Sequence, residues 1–174
     1  MNFKSKLNLE ETSLITKILV PVDGSKPSEK ALDYALEIAE KFSASILILN
    51  VFQRPPEYDY QPNMFFPVTT AGYPQEPMGN QPNAASFVND LRKTHETILS
   101  NSAKRALKLK PDLKIYTELK DGKISSQILE TATDGKFDLI VMGHRGDGAI
   151  NEFFLGSSSE RIAHQAKCAV LIVK

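Results

Sequence analysis

Gly143-x2-Gly146-x9-Gly156 is followed at once by Ser157, Ser158 and Ser159. These glycines and hydroxyls stand between the apolar run Phe137-Asp138-Leu139-Ile140-Val141-Met142 and a helical pattern carrying Ile162, Ala163 and Ala166. A strand, then glycines, then a helix that opens on serine is an arrangement suited to an anion. First-turn N–H groups have no partner inside the helix. The helix carries about half a positive charge at that end. Gly143 and Gly146 place no side chain between backbone amides and an approaching phosphate. The plain alternative is a glycine-rich connection in which Ser157 caps the helix. A second chemical group lies far off in sequence: Asp23, in Val22-Asp23-Gly24-Ser25 at the end of another apolar run. A carboxylate there can accept hydrogen bonds from ribose hydroxyls, or it can cap its own turn.

Other site types find no support. There is no GxxxxGK[ST] and no GxGxxG after the first run, where the turn reads DGSKPS. A receiver-type phosphorylation site would need clustered acids, and only Asp23 is present there. His95, His144 and His164 lack metal-ligand spacing, and no GxSxG elbow appears. The single cysteine, Cys168, forms no internal disulfide and reads as a small buried residue.

The elements that must position these groups are legible as five short apolar runs. They are Lys17–Val22, Ser45–Val51, Leu113–Thr117, the run ending at Met142, and Cys168–Val173. Four are near-continuous in Ile, Val and Leu, which predicts strands of a parallel sheet covered on both faces. The third alternates and suits an edge. Between the first two, Leu32, Ala35, Leu36, Ala39 and Phe42 share a helical face, with Ser25 as cap, Pro27 in the first turn and Glu29 at the positive end. A second helix is predicted over 85–109, with Leu91, His95, Ile98 and Leu99 on one side and Pro111 as its stop. A third carries Ile124, Ile128, Leu129 and Ala132, and a fourth starts near Ser157. The order β-α-β-α-β-α-β-α-β, joined by right-handed crossovers, gives a doubly wound α/β sandwich. Ligands in such sheets bind beyond the carboxyl ends of the strands, where the winding reverses.

Composition sets the outer limits. The 174 residues suit one domain, with Lys plus Arg and Asp plus Glu at 21 each and no net charge. This offers no bulk attraction for nucleic acid or an anionic membrane. Residues 1–14 read as a polar extension without signal-peptide character, no stretch is long enough to span a membrane, and a cytoplasmic location is expected. Residues 53–84 hold seven of the ten prolines, together with Tyr58, Tyr60, Phe65, Phe66 and Tyr73, and no lysine. That composition forbids a regular helix or central strand. It reads as a surface insertion, or as an aromatic lid or partner-docking arm.

The glycine pattern resembles the G-2x-G-9x-G-[S/T] signature of the ATP-binding universal stress proteins. Lys17-Ile-Leu-Val-Pro-Val-Asp-Gly-Ser25, Phe137-Asp-Leu-Ile-Val-Met-Gly143 and Ala169-Val-Leu-Ile-Val-Lys174 resemble that family's other blocks, so the likeness covers residues 15–174. It implies a five-stranded parallel sheet in order 3-2-1-4-5 with helices on both faces, a fold like that of the adenine nucleotide alpha hydrolases. It places ATP, ADP or AMP between the first and fourth strands, with Mg²⁺ carried on the phosphates. Asp23 would hold the ribose or adenine side, helped by the backbone of Pro21 and Val22, and Val51 would offer its backbone to adenine. Met142 and Gly143 would flank the nucleoside, while Gly146, Gly156, Ser157, Ser158 and Ser159 would line the phosphates. Arg145 could supply charge, as could Lys26 or Arg161, but no base stands beside them; Asp147 reads as a solvated turn acid. The expectation is a nucleotide-responsive stress or signalling module with little or no hydrolysis, the alternative being a slow ATPase or nucleotidyl transferase. A homodimer through Val170, Leu171, Ile172 and Val173 is expected if the fifth strand is an edge, together with an unidentified protein partner.

Overall fold

The structure, a computed structural model of the chain, describes residues 14–55, 84–145 and 155–174. Along the chain the elements are β1 (Lys17–Pro21), α1 (Lys26–Phe42), β2 (Ser45–Phe52), α2 (Ala84–Leu109), β3 (Ile115–Asp121), α3 (Ile124–Asp134), β4 (Leu139–Gly143), α4 (Ser157–Gln165) and β5 (Ala169–Val173). All strands are parallel, in the order β3-β2-β1-β4-β5. The expected strand order is thus observed, and the winding reverses between β1 and β4.

Alternation along β1 sorts the core into two layers. Ile18 and Val20 point to the α1 and α2 side, where they meet Leu32, Leu36, Ile46 and Ile48. Leu19 points the other way, toward Leu49, Ile128, Ile140 and Ile162 under α3 and α4. Burial on both faces is why β1, β2 and β4 read as unbroken apolar runs. The fifth run breaks that rule. Val170, Leu171 and Ile172 are only half-buried, because β5 is an edge strand. The other edge, β3, starts two residues later than the apolar run and continues through Glu118, Leu119, Lys120 and Asp121. Pairing with β2 from Ile46↔Ile115 to Phe52↔Asp121 carries these polar residues into the sheet. From position 56 to 83 the proline-rich stretch lies outside the described residues, as does the connection 146–154. Among the described residues, no helix is long and apolar enough to cross a membrane.

Local chemistry fixes the ends of the elements that matter most. The Ser25 hydroxyl accepts from the Ser28 amide at 3.3 Å, capping α1 as expected, and Pro27 stands in its first turn. Gly24 has φ +85°, a conformation that a side chain would strain. At the opposite end of the sheet, Asp138 Oδ2 accepts from the Thr16 amide and hydroxyl, each at 2.8 Å, and from the Lys17 amide at 3.0 Å. One carboxylate thereby pins the start of β1 to the start of β4.

Those hydrogen bonds, led by the one from the Thr16 amide, hold the Asp138 carboxyl below its ordinary pKa. A depressed carboxylate pKa contributes stability that is full above the unfolded value and is lost as the pH falls through the folded one. Replacing Asp138 by Ala is expected to cost about 1–3 kcal/mol at neutral pH. The gap from the wild-type chain should narrow below a pH of about 4. Urea unfolding followed from pH 7 to pH 3 measures both.

Candidate functional site

Beyond the carboxyl ends of β1, β2 and β4, at the reversal of winding, lies a cleft of about 470 Å³. That is within the usual range of roughly 300–1,000 Å³ for small-molecule sites. Pro21, Val22 and Asp23 reach it from β1 and the turn that follows, and Val51 reaches it from β2. Met142, Gly143 and Arg145 line it from the end of β4. Gly156, Ser157, Ser158 and Ser159 close it at the start of α4. The described residues singled out from the sequence therefore meet in one place, except Lys26 and Arg161, which do not line the cleft. Gly146 lies outside the described residues.

The cleft has two chemical ends. Leu49, Val51 and Met142 form an apolar wall that continues into Ile124 and Ile128 on α3. At the other end, α4 begins on Gly156 with no side chain capping it. The Gly156 amide donates to the His144 carbonyl at 2.8 Å, and the Glu160 amide to the Gly156 carbonyl at 2.9 Å, closing the first turn. The amides of Ser157, Ser158 and Ser159 are the first-turn donors that take no partner among the described residues. Ser159 is otherwise occupied, because its buried hydroxyl donates to the Gly143 carbonyl at 3.0 Å. Its hydroxyl braces α4 on β4, and only its backbone is left for an anion. Among the described residues, the charged side chains lining the cleft are Asp23 and Arg145.

Two residues carry hydrogen bonds within the protein that bear on their expected roles. Asp23 does cap its turn: Oδ1 accepts from the Ser25 amide at 3.0 Å and from the Ser25 hydroxyl at 2.6 Å. Oδ2 takes no hydrogen bond from the described residues, so turn and ligand roles can coexist on one carboxylate. Val22 was expected to lend its backbone to a nucleoside, but that backbone has partners inside the protein. Its amide donates to the Leu49 carbonyl at 2.8 Å, and its carbonyl accepts from Asn50 Nδ2 at 2.8 Å.

Gly143 has a different reason for being glycine. A Cβ there would lie 2.8 Å from the Pro27 carbonyl carbon and 2.9 Å from Pro27 Cβ. The close neighbour is the first turn of α1, not an anion. At Gly156 a Cβ would lie 3.2 Å from Arg145 Cα, so the two flanks of the glycine connection nearly touch.

Ser28, Ile124 and Ile128 line the cleft and were not foreseen as site residues. Ile124 is the informative omission. It opens α3, is 39% exposed, and stands one turn before Ile128. An isoleucine at the mouth of a helix, just after a strand, was the signal available in the sequence.

Comparison with known proteins follows the same outline. The model described as "Universal stress protein family" matches residues 15–174. The universal stress protein MJ0531 of Methanocaldococcus jannaschii is 30% identical over 164 residues, which cover 93% of this chain and 84% of that protein. The solved structure of the universal stress protein UspA from Lactobacillus plantarum superposes with a TM-score of 0.69 at 21% identity, covering 92% of this chain and 98% of the other. A universal stress protein solved in complex with cAMP gives 0.64 at 24%, covering 93% and 99%. At these identities the structural matches show the fold.

The contact at Gly143 yields a direct test. Gly143→Ala is expected to lower stability by about 1–3 kcal/mol, because the new methyl overpacks against Pro27 backbone that cannot swing aside. Denaturant unfolding of the protein without added nucleotide measures it. Unchanged stability would mean that α1 does not approach this closely.

Proposed function

The chain belongs to the universal stress protein family, and from that premise we propose that its cleft binds an adenine nucleotide, ATP with Mg²⁺ in the first instance. The observation carrying this reading is the convergence of an apolar wall and an uncapped helix start in one cleft of about 470 Å³. The base lies against Val51, Met142, Ile124 and Ile128. Asp23 Oδ2 accepts from the ribose. The phosphates meet the first-turn amides of α4, the hydroxyls of Ser157 and Ser158, and Arg145. The solved relative in complex with cAMP supports an adenine nucleotide as the ligand class. Among the described residues no cluster of three or more His, Cys, Asp or Glu could hold a metal. Magnesium is proposed to travel with the phosphates.

Binding rather than turnover is the proposed activity. Phosphoryl transfer calls for cations on the transferring group, a metal and an oriented nucleophile. Arg145 is the one described cationic side chain lining the cleft, and Asp23 has an oxygen occupied in its turn. The protein is thus proposed as a cytoplasmic module whose nucleotide state is passed to a partner protein. A second copy of the chain is the proposed neighbour of β5, whose Val170, Leu171 and Ile172 are half-exposed and uncharged. The opposite edge carries Glu118, Lys120 and Asp121, which discourage strand addition.

Calorimetric titration with MgATP, ADP, AMP and cAMP tests the reading. Micromolar to millimolar binding is expected. Asp23→Asn should weaken it by about threefold to tenfold, the worth of one net hydrogen bond. Gly156→Val should crowd the helix start and weaken it more. Absence of binding at millimolar nucleotide would sink the proposal, and steady ADP release at ordinary enzymatic rates would overturn the non-enzymatic part. Sedimentation at rising concentration checks the dimer.

A further inference from the structure

A buried polar chain stands behind the cleft without lining it. Asn50 is on β2 between Leu49 and Val51, both of which face the cleft, yet its own side chain is completely buried. Its Nδ2 donates to the Val22 carbonyl at 2.8 Å, and its Oδ1 lies 2.7 Å from Nδ1 of His95 on α2. With Nδ2 facing a carbonyl, Oδ1 is the free acceptor of the amide. The short contact to it therefore requires the proton on His95 Nδ1. Burial lowers the His95 pKa, which favours the neutral ring. The ring also lies on Phe52, with centroids 5.6 Å apart at 33°.

Val22 is the residue that hands β1 over to the Asp23 turn. Its amide is held by Leu49 and its carbonyl by Asn50. The next amide, that of Asp23, donates to the Ser28 hydroxyl at 3.4 Å, a weak restraint. Orientation of the Asp23 turn therefore depends heavily on how firmly Val22 is fixed. An apolar side chain at position 50 would leave the Val22 carbonyl unpaired in the protein interior, at a substantial cost. An Asn without His95 would itself be left short of a partner.

We propose that Asn50 and His95 are positioning residues for the cleft: by fixing the Val22 carbonyl they preset the Asp23 turn and make α2 part of the binding apparatus. This rests on the adenine-nucleotide reading. It adds an element, α2, that touches none of the proposed ligand atoms but sets the geometry of those that do. The result is a route by which strain on α2 alters nucleotide affinity.

The test compares His95→Phe with His95→Asn. Phe keeps a ring on Phe52 but removes the Nδ1 donor, while Asn restores an N–H donor close to the same place. Two quantities are read: the MgATP and AMP dissociation constants, and amide hydrogen exchange at Asp23 and Ser25 in protein without nucleotide. His95→Phe is expected to bind about threefold to tenfold more weakly and to exchange faster at those amides by a similar factor. His95→Asn should recover most of both. Wild-type affinity and exchange in His95→Phe, or no recovery in His95→Asn, overturns the proposal. Should the wild-type chain bind no adenine nucleotide, the reading of the cleft fails by itself. Exchange then decides the positioning role: unchanged rates overturn it, faster rates uphold it. Nitrogen-15 shifts of the wild-type imidazole give an independent check if His95→Phe does not fold. An Nδ1–H tautomer supports the proposal, and an Nε2–H tautomer overturns it.

Discussion

The close approach of α1 to the end of β4 governs the geometry from which the rest follows. With a Cβ at Gly143 only 2.8 Å from the Pro27 carbonyl carbon, no other residue type allows the first turn of α1 to sit so near the sheet. That contact sets α1 directly across the β1–β4 reversal. The turn carrying Asp23, which leads into α1, is consequently held beside the connection leaving β4. The start of α4 is drawn to the same place by the Ser159 hydroxyl on the Gly143 carbonyl. It is drawn further by the Gly156 amide on the His144 carbonyl. Three segments far apart in sequence thus converge because one residue lacks a side chain and the next carbonyls along the chain accept hydrogen bonds from α4.

The cleft formed by this convergence is polarised without being strongly charged. At its apolar end, Ile124, Ile128, Val51 and Met142 would bury the proposed flat ring with little directional demand. At its polar end, backbone amides at a helix start supply attraction that needs no lysine. An arrangement of that kind binds a phosphate through fixed dipoles. Among the described residues, Arg145 is the one cationic side chain lining it, where phosphoryl transfer calls for several positive groups. For the proposed function, that character is why binding a nucleotide is preferred to cleaving one.

The sequence exposed some of these relations and hid others for identifiable reasons. Strands buried on both faces announce themselves as Ile, Val and Leu runs, so β1, β2 and β4 were plain, and the chain order of strands and helices followed. The extent of β3 was less plain because Glu118, Lys120 and Asp121 belong to the strand by pairing rather than by polarity. Strand order came from family resemblance, since periodicity carries no information on which strands are neighbours. Gly143, Gly156 and the serines were visible as candidates by type and spacing. The reason for Gly143 was not, because its neighbour Pro27 is more than a hundred residues away in the chain. The Asn50–His95 pair, 45 residues apart on different elements, was likewise beyond reach. His95 read simply as one position on the apolar side of α2, and nothing at Asn50 announces a partner on another element.

Asymmetry between the two sheet edges completes the physical picture. β3 is lined with charges and paired with β2 along its whole length, while its outer face carries the 59% exposed Tyr116. β5 is short, apolar and half-covered. An exposed apolar edge tends to recruit another strand, and a charged one resists it. One edge of the sheet is thus charged and the other apolar, which is why the proposed association is placed at β5. The cleft lies between them, closed by α4, whose chain continues directly into β5. A ligand that orders the start of α4 acts on the element next to the associating edge. In the proposed function, one helix of nine residues would separate the nucleotide from the neighbouring copy, a distance over which a rigid element transmits a shift at one end to the other.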